Sequence, residues 1–493
     1  MTAKQLYTAA QVRALDSAFI ASGTPATQLM KRAGRAAFEA LLERWSHPEE
    51  ITVYCGSGNN AGDGFVVAAL AAAQRIPVNV VLLGDEEKFS EAAQAAYQYA
   101  RQEGVIVMPP GPAPTSGVIV DALLGTGISG EVRPEYRQVI EQINASGLPV
   151  VALDIPSGLN ADTGAECGLA VKAGLTVSFI GLKRGLLTGR GPALCGELVF
   201  DDLGAPEFIY EQVQSDITWP EYAELRARLP AREADAHKGH FGHVMVIGGD
   251  TGRGGAALMA AEAAARTGAG LVSLATRPEH VGAALARRPE VMTCGVISGQ
   301  ELEPWLERPS VLVVGPGLGD SPWSEQMLQQ ALASGLPLVL DADALNLIAA
   351  GRLWREGDTR DNWILTPHPG EAGRLLKTDT ASVQQDRFAA VQQLQQNYGG
   401  AVILKGAGSL VAAADTPVQI ITAGNPGMAS GGMGDVLSGI LGALLAQKMS
   451  PADAAALGAS LHAHAADLAV EEHGQVSLLA TDLLDYLGAL LGD

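Results

Sequence analysis

The sequence predicts two consecutive α/β domains, each built on a largely parallel β-sheet. Two patterns point there. Short, unbroken apolar runs recur along both halves, as strands covered on both faces require. Helical stretches separate most of these runs, which is the rhythm of β-α-β units. Size and composition agree: 493 residues suit two domains, and 47% hydrophobic against 18% charged residues allows two large cores. Aromatic residues are only 5%, so those cores rest on Ala, Val, Leu and Ile.

The elements follow in order. Thr8 caps a helix that carries Val12, Leu15 and Phe19 on one face. A second helix over 26–45 aligns Leu29, Met30, Ala33, Ala37, Leu41 and Leu42. Strands are expected at 51–54, 78–83, 105–108, 118–124, 149–153 and 175–180, with helices at 65–74, 89–102 and 135–143. The polar stretch 207–235, with Trp219-Pro220 and Leu229-Pro230, interrupts this rhythm and puts the domain boundary near 215, giving domains 1–215 and 216–493. Strands resume at 243–247, 271–275, 311–314, 336–340, 364–365, 401–404 and 418–421, with the clearest helices at 255–267 and 386–397. The halves share a class without an internal repeat.

A net charge of −21 argues against partners such as nucleic acid or an anionic membrane. Cys55, Cys167, Cys195 and Cys294 are scattered without zinc-ligand spacing and read as reduced thiols. The first residues lack a basic segment followed by an apolar one, and no apolar run spans a bilayer, so a soluble, cytoplasmic protein is expected.

The most informative stretch runs from Gly424-Asn425-Pro426-Gly427 through Gly431-Gly432-Met433-Gly434-Asp435 into an apolar helix over 435–444. Glycines let backbone N–H groups crowd a phosphate, a helix N-terminus adds positive potential, and Asp435 stands ready to take a proton from an attacking hydroxyl. These are the parts of a phosphoryl-transfer site.

Other loops follow strands in the same way. In the first half the 51–54 strand runs into Gly56-Ser57-Gly58-Asn59-Asn60-Ala61-Gly62-Asp63-Gly64. Gly56, Gly58 and Ala61 fit a dinucleotide fingerprint, or simply a tight strand–helix turn. Asp121 with Gly125-Thr126-Gly127-Ile128-Ser129-Gly130-Glu131, and Asp154-Ile155-Pro156-Ser157-Gly158, close two further strands; their oxygen-rich side chains suggest a hard cation. In the second half, Gly248-Gly249-Asp250 through Gly255, and Gly315-Pro316-Gly317, each read as a ligand loop or a flexible turn. Asp341 and Asp343, if extended, face one way and orient a metal-bound phosphate; otherwise they cap the next helix. Thr366-Pro367-His368-Pro369-Gly370-Glu371 is a proline-stiffened loop presenting a ring and a carboxylate able to hold Mg²⁺ through water. Lys405-Gly406-Ala407-Gly408-Ser409 offers lysine charge and backbone donors to a nucleotide phosphate, although the lysine precedes the glycines, unlike a P-loop.

Two families match these motifs. Residues 10–212 resemble the N-terminal domain of the YjeF family, the NAD(P)H-hydrate epimerase, on the Gly-x-Gly-Asn-Asn-x-Gly-Asp-Gly loop and the Asp-Ile-Pro-Ser-Gly run. The resemblance implies a Rossmann-like parallel-sheet sandwich. Its substrate contacts would be Asn59, Asn60, Ala61, Gly62, Asp63, Gly125, Thr126, Gly127, Ile128, Ser129, Gly130, Glu131 and Asp154. Asn60, Asp121 and Ser157 would hold K⁺, with Asp154 as acid/base. The family usually has Gly where this chain has Ala61, a methyl expected to narrow the approach to ligand. Residues 220–493 resemble the C-terminal YjeF domain, the ADP- or ATP-dependent NAD(P)H-hydrate dehydratase of the ribokinase-like superfamily, on Thr-Pro-His-Pro-Gly-Glu and Gly-Gly-Met-Gly-Asp. That resemblance implies an α/β/α sandwich. Gly255, Gly317, His368, Pro369, Gly370, Glu371 and Arg374 would contact the hydrated coenzyme. Lys405, Gly406, Ala407, Gly408, Ser409 and Gly434 would hold ADP or ATP with Mg²⁺, and Asp435 would be the base. The order is that of the bifunctional repair enzymes, whose relatives form homo-oligomers. The rival reading is a ribokinase-like small-molecule kinase fused to a non-catalytic binding module.

Overall fold

The computed structural model describes residues 4–128, 130–355 and 357–492. Two compact units divide the chain, one over Gln5–Ile217 and the other from Thr218 onward.

In the first unit the strands lie in the spatial order Ile106–Met108, Val78–Leu82, Ile51–Cys55, Val118–Ala122, Val150–Leu153, Leu175–Phe179 and Glu197–Asp201, all parallel. Successive residues of the central strands enter opposite cores. Val53 and Val120 join the layer under the helices Ala26–Arg44, Asn59–Ala73 and Glu91–Gln102, whereas Tyr54 and Ile119 join the layer under Pro134–Ala145. The chain starts in Ile51–Cys55, builds to one side, and returns through Val118–Ala122 to build the other. The order therefore reverses between those two strands, and a crevice opens beyond their carboxyl ends.

Two elements differ from expectation. The edge strand Glu197–Asp201 carries only a three-residue apolar run, Leu198-Val199-Phe200, between two acidic residues, and it faces solvent on one side, with Phe200 46% exposed. The helix expected from residue 65 begins at Asn59, which places the Asn-Asn and Asp63 on its first turns rather than in a loop. Gly62 and Gly64 are poor helix formers, but packing overrides propensity. A Cβ on Gly62 would stand 2.4 Å from Met30 Sδ, and one on Gly34 2.4 Å from Val66 Cβ, so glycines let the two helices close.

In the second unit the order is Val418–Ile421, Ser409–Ala413, Ala401–Leu404, Trp363–Leu365, Leu338–Leu340, Val311–Val314, His243–Ile247, Leu271–Thr276 and Met292–Gly295. Pairing is parallel except around Ser409–Ala413, which runs antiparallel to both neighbours. Here the order reverses between His243–Ile247 and Val311–Val314. Helix Met433–Ala446 is buried along most of its length in the main core. Two further strands lie outside the expected set: Met292–Gly295, another half-exposed edge, and Ser409–Ala413, whose apolar run over 410–413 directly follows the expected nucleotide loop. Within the polar stretch, helix Tyr222–Arg226 pins the chain's last helix through Tyr222 Oη to the Leu490 carbonyl (2.8 Å) and Arg226 to that of Leu491 (2.8 Å). No helix among the described residues is long and apolar enough to cross a membrane.

Candidate functional site

The crevice of the first unit is a cavity of about 320 Å³. Asn59, Asn60 and Asp63 enter it from the first turns of Asn59–Ala73, Gly125, Thr126 and Gly127 from the loop after Val118–Ala122, and Asp154 from the end of Val150–Leu153. Asp154 has φ +65, a left-handed conformation that an Asp holds only when its surroundings impose it. The cavity also receives Asp16 and Lys183, which no motif singles out, and apolar Leu29 and Met30. Burial, then repulsion from Asp154 and Asp16, pushes the Asp63 carboxyl well above its usual range. Burial raises Asp16 to about 6, with Lys183 opposing.

Beneath the cavity, Asp121 is fully buried. Its carboxylate accepts from Ser157 N–H (2.8 Å), Ser157 Oγ (2.6 Å) and Leu123 N–H (3.2 Å). Burial raises its pKa to about 6 against those bonds. Asn60 donates to the Leu124 carbonyl (3.1 Å), while its Oδ1 is buried without a hydrogen-bond partner among the described residues. An orphaned amide oxygen, a carboxylate and a hydroxyl form an all-oxygen donor set suited to a hard cation. No group of three or more His, Cys, Asp or Glu among the described residues is placed to hold a metal.

Other expected contacts lie off the cavity wall. Ala61 is fully buried in the core, so its methyl does not narrow the approach to ligand as expected. Gly62 faces Met30, Ile128 packs on the core beside Leu123 and Val132, and Gly130 and Glu131 are exposed. Ser129 lies outside the described residues. Ala61→Gly is expected to destabilise the unit by about 1–2 kcal/mol through helix propensity and a lost buried methyl. KM for the ligand of this cavity should stay unchanged; a denaturation midpoint and a KM measurement check both.

In the second unit, Gly432 turns the chain into Met433–Ala446 with φ +95; a Cβ there would meet Met259 at 2.7 Å. The first-turn N–H groups of that helix lack intrahelical acceptors. Asp435 stands on this turn, and its pKa is raised to about 7 by burial first, then by Asp341 and Asp343, with Lys405 opposing.

The neighbouring anchor is Asp341. It occupies the cap position of helix Ala342–Ala349 but makes no side-chain cap bond. Its carboxylate, 1% exposed, accepts instead from Lys405 Nζ (2.7 Å), Thr366 Oγ1 (2.8 Å) and Ser438 Oγ (2.9 Å). Burial raises its pKa, but the ammonium and these bonds outweigh burial and leave it below the usual range. Asp341 and Asp343 do not face one way: Asp341 is extended, Ala342 is left-handed at φ +48, and Asp343 already lies in the helix. Asp343 accepts from Gly319 N–H (2.7 Å) and Arg253 (3.2 Å). That contact joins Asp435's surroundings to the loops of Gly255 and Gly317, where a Cβ on Gly255 would meet open space.

Glu371 Oε2 lies 3.9 Å from Lys405 Nζ. His368 and Glu371 form a reciprocal helix cap. Nδ1 of His368 accepts from Gly370 (2.9 Å) and Glu371 N–H (3.4 Å), while Glu371 accepts from His368 N–H (2.8 Å). Burial, then Lys405, holds the imidazole pKa down, and burial raises Glu371. Arg374, on the same helix Pro369–Leu375, is exposed and donates to Asn346 Oδ1 (3.0 Å). Gly434 fits closely: a Cβ would sit 3.1 Å from Asp341 Oδ2 and 3.3 Å from Lys405 Nζ. Arg387, 1% exposed and unmarked by any motif, braces Lys405-Gly406-Ala407-Gly408 from below by donating to the carbonyls of Leu404 (3.2 Å) and Lys405 (3.3 Å). Ser409 begins a strand instead of closing that loop.

Comparison with known proteins finds a matching family for each half of the chain. The model of NAD(P)H-hydrate dehydratase matches residues 244–488, and that of the YjeF-related protein N-terminus matches 26–185. The bifunctional NAD(P)H-hydrate repair enzyme Nnr of Coxiella burnetii is 50% identical over 488 residues, 99% of either chain. That of Escherichia coli K12 is 44% identical over 462 residues, 93% of this chain and 88% of its own. A ribokinase-like superfamily protein from Enterococcus faecalis V583 superposes with a TM-score of 0.51 at 30% identity, over 56% of this chain and 96% of that one. The chain belongs to the family of bifunctional NAD(P)H-hydrate repair enzymes.

Proposed function

We propose that the chain repairs hydrated NADH and NADPH, with the first domain interconverting the R and S hydrates and the second dehydrating the S form at the expense of ADP or ATP. The observation that carries this reading is Asp435, a carboxyl whose pKa is raised to about 7, on the first turn of a helix that has no side-chain cap and whose first N–H groups lack intrahelical acceptors. A base with a pKa near the working pH is best matched to proton transfer.

In the second domain Asp435 takes the proton of the ring hydroxyl as its oxygen bonds to the terminal phosphorus and the nucleotide's bridging P–O bond breaks. The first-turn N–H groups of Met433–Ala446 stabilise the charge that develops. Lys405 holds the nucleotide's phosphates from its anchor on Asp341. The ring nitrogen's lone pair then expels phosphate, a far better leaving group than hydroxide, and the adjacent carbon gives up a proton to restore the double bond. Mg²⁺ would arrive with the nucleotide, neutralising phosphate charge, and Glu371 would reach it through water.

In the first domain Asp154 serves as acid/base, and K⁺ would sit among Asn60 Oδ1, Asp121 and Ser157, fixing the floor of the cavity. Joining the activities keeps the R hydrate from being stranded. The free, buried cysteines suit a cytoplasmic setting.

The test is turnover of a mixture of R and S hydrates by the whole chain, with ADP and ATP in turn. Recovery of the reduced coenzyme with release of phosphate supports repair; an accumulating phosphorylated product supports a kinase. Asp154→Asn is expected to slow R-to-S conversion by about 10²-fold or more with S repair intact. Loss of both activities would point to misfolding.

A further inference from the structure

We infer that Lys183 is a positioning residue of the epimerase site, its ammonium gripping one oxygen of Asp154 so that the other faces the cavity. The inference rests on the reading of Asp154 as acid/base.

Lysine is rarely buried unless paired, and the Lys183 side chain is 0% exposed. An ammonium has three N–H donors. Those of Lys183 meet Asp154 Oδ1, Ser178 Oγ (3.3 Å) and the Phe179 carbonyl (3.1 Å). Ser178 and Phe179, at the end of strand Leu175–Phe179, which is paired on both sides, thus fix where Nζ stands, and Nζ fixes Asp154. Phe179 N–H also donates to Oδ1 (3.3 Å), so the described bonds at this carboxylate fall on one oxygen and leave Oδ2 for the cavity, into which Asp154 remains 19% exposed.

The ammonium is not needed to hold its own segment. Around Lys183 the backbone is tied by Tyr7 N–H to the Leu182 carbonyl (2.9 Å), Arg184 N–H to the Tyr7 carbonyl (3.0 Å) and Gly185 N–H to the Ala161 carbonyl (2.8 Å). Of the carboxylates lining the cavity, Asp63 and Asp16 are both pushed toward the neutral form by burial, and the direct ion pair goes to Asp154. The cation is therefore spent on the one carboxylate assigned to chemistry.

The experiment measures R-to-S conversion by the whole chain for Lys183→Met, Lys183→Arg, Asp154→Asn and the double variant Lys183→Met/Asp154→Asn, with S repair and circular dichroism reporting the fold. Lys183→Met is expected to lower kcat by about 10–10²-fold with KM for the R hydrate little changed, and Lys183→Arg to recover part of the loss. The double variant should be no slower than Asp154→Asn alone, because residues that act through one another are not additive. Wild-type kcat in Lys183→Met, or a double variant slower than Asp154→Asn by the full Lys183→Met factor, overturns the inference. Should Lys183→Met fail to fold, Ser178→Ala removes a single anchor; a several-fold fall in kcat at constant KM supports the inference, and an unchanged kcat overturns it. Asp154→Asn at full rate removes the base assignment itself, an outcome distinct from an inactive Asp154→Asn beside a fully active Lys183→Met.

Discussion

Asp435→Asn is expected to lower kcat for dehydration of the S hydrate by about 10²–10⁴-fold, with nucleotide binding nearly unchanged. The amide keeps the shape of the carboxylate and loses only its capacity to accept the hydroxyl proton. The pH dependence separates this from a general disturbance. Burial and the negative charges of Asp341 and Asp343 raise the Asp435 pKa to about 7, against the pull of Lys405. A base must be ionised to act, so the rate of the unmodified chain falls as pH drops through about 7, approaching tenfold per unit below it. The Asn variant has no such acid limb. Steady-state recovery of reduced coenzyme across pH measures both, and an Asn variant with the wild-type limb would remove Asp435 from the base role.

Much of this architecture is legible in the sequence for a physical reason. Central strands such as Val150–Leu153, Val311–Val314 and Leu338–Leu340 are buried on both faces, so their apolar runs are unbroken. The edges Glu197–Asp201 and Met292–Gly295 are partly exposed, and their apolar stretches are too short to stand out from loops. Helix Asn59–Ala73 hides its start because its first turns carry glycines, whose cost is offset by close packing on Met30 that only the folded chain reveals. The sites divide likewise. Asp121, Asp154, Lys405 and Asp435 are readable because each ends or follows a strand, or opens a helix, beside a short glycine-containing motif. Lys183 and Arg387 are invisible because their partners are fixed by the fold: Lys183 reaches Asp154 across 29 positions. For Asp341 the sequence leaves two readings, cap or phosphate ligand. The structure gives it a third role, the fixed negative partner of Lys405.

That role makes Asp341→Asn the second large-effect prediction. The carboxylate is 1% exposed and accepts three hydrogen bonds, and removing one member of a buried ion pair leaves the other uncompensated. Glu371, 3.9 Å from the ammonium, softens the loss. The expected cost is therefore at the low end for such a change, about 3 kcal/mol, read from the denaturation midpoint of the second unit. Activity should change in a way that stability alone does not predict. The negative charge of Asp341 helps raise the Asp435 pKa, so its removal shifts the acid limb of the dehydration profile to lower pH. A companion variant separates the two effects. Lys405→Met, added to Asp341→Asn, removes the orphaned charge and should restore most of the stability, because an apolar side chain of similar volume tolerates burial. It should not restore turnover, since the cation assigned to the phosphates is then missing. Stability recovered without activity is the signature of an ion pair kept for chemistry; recovery of both, or of neither, would assign Lys405 a different task.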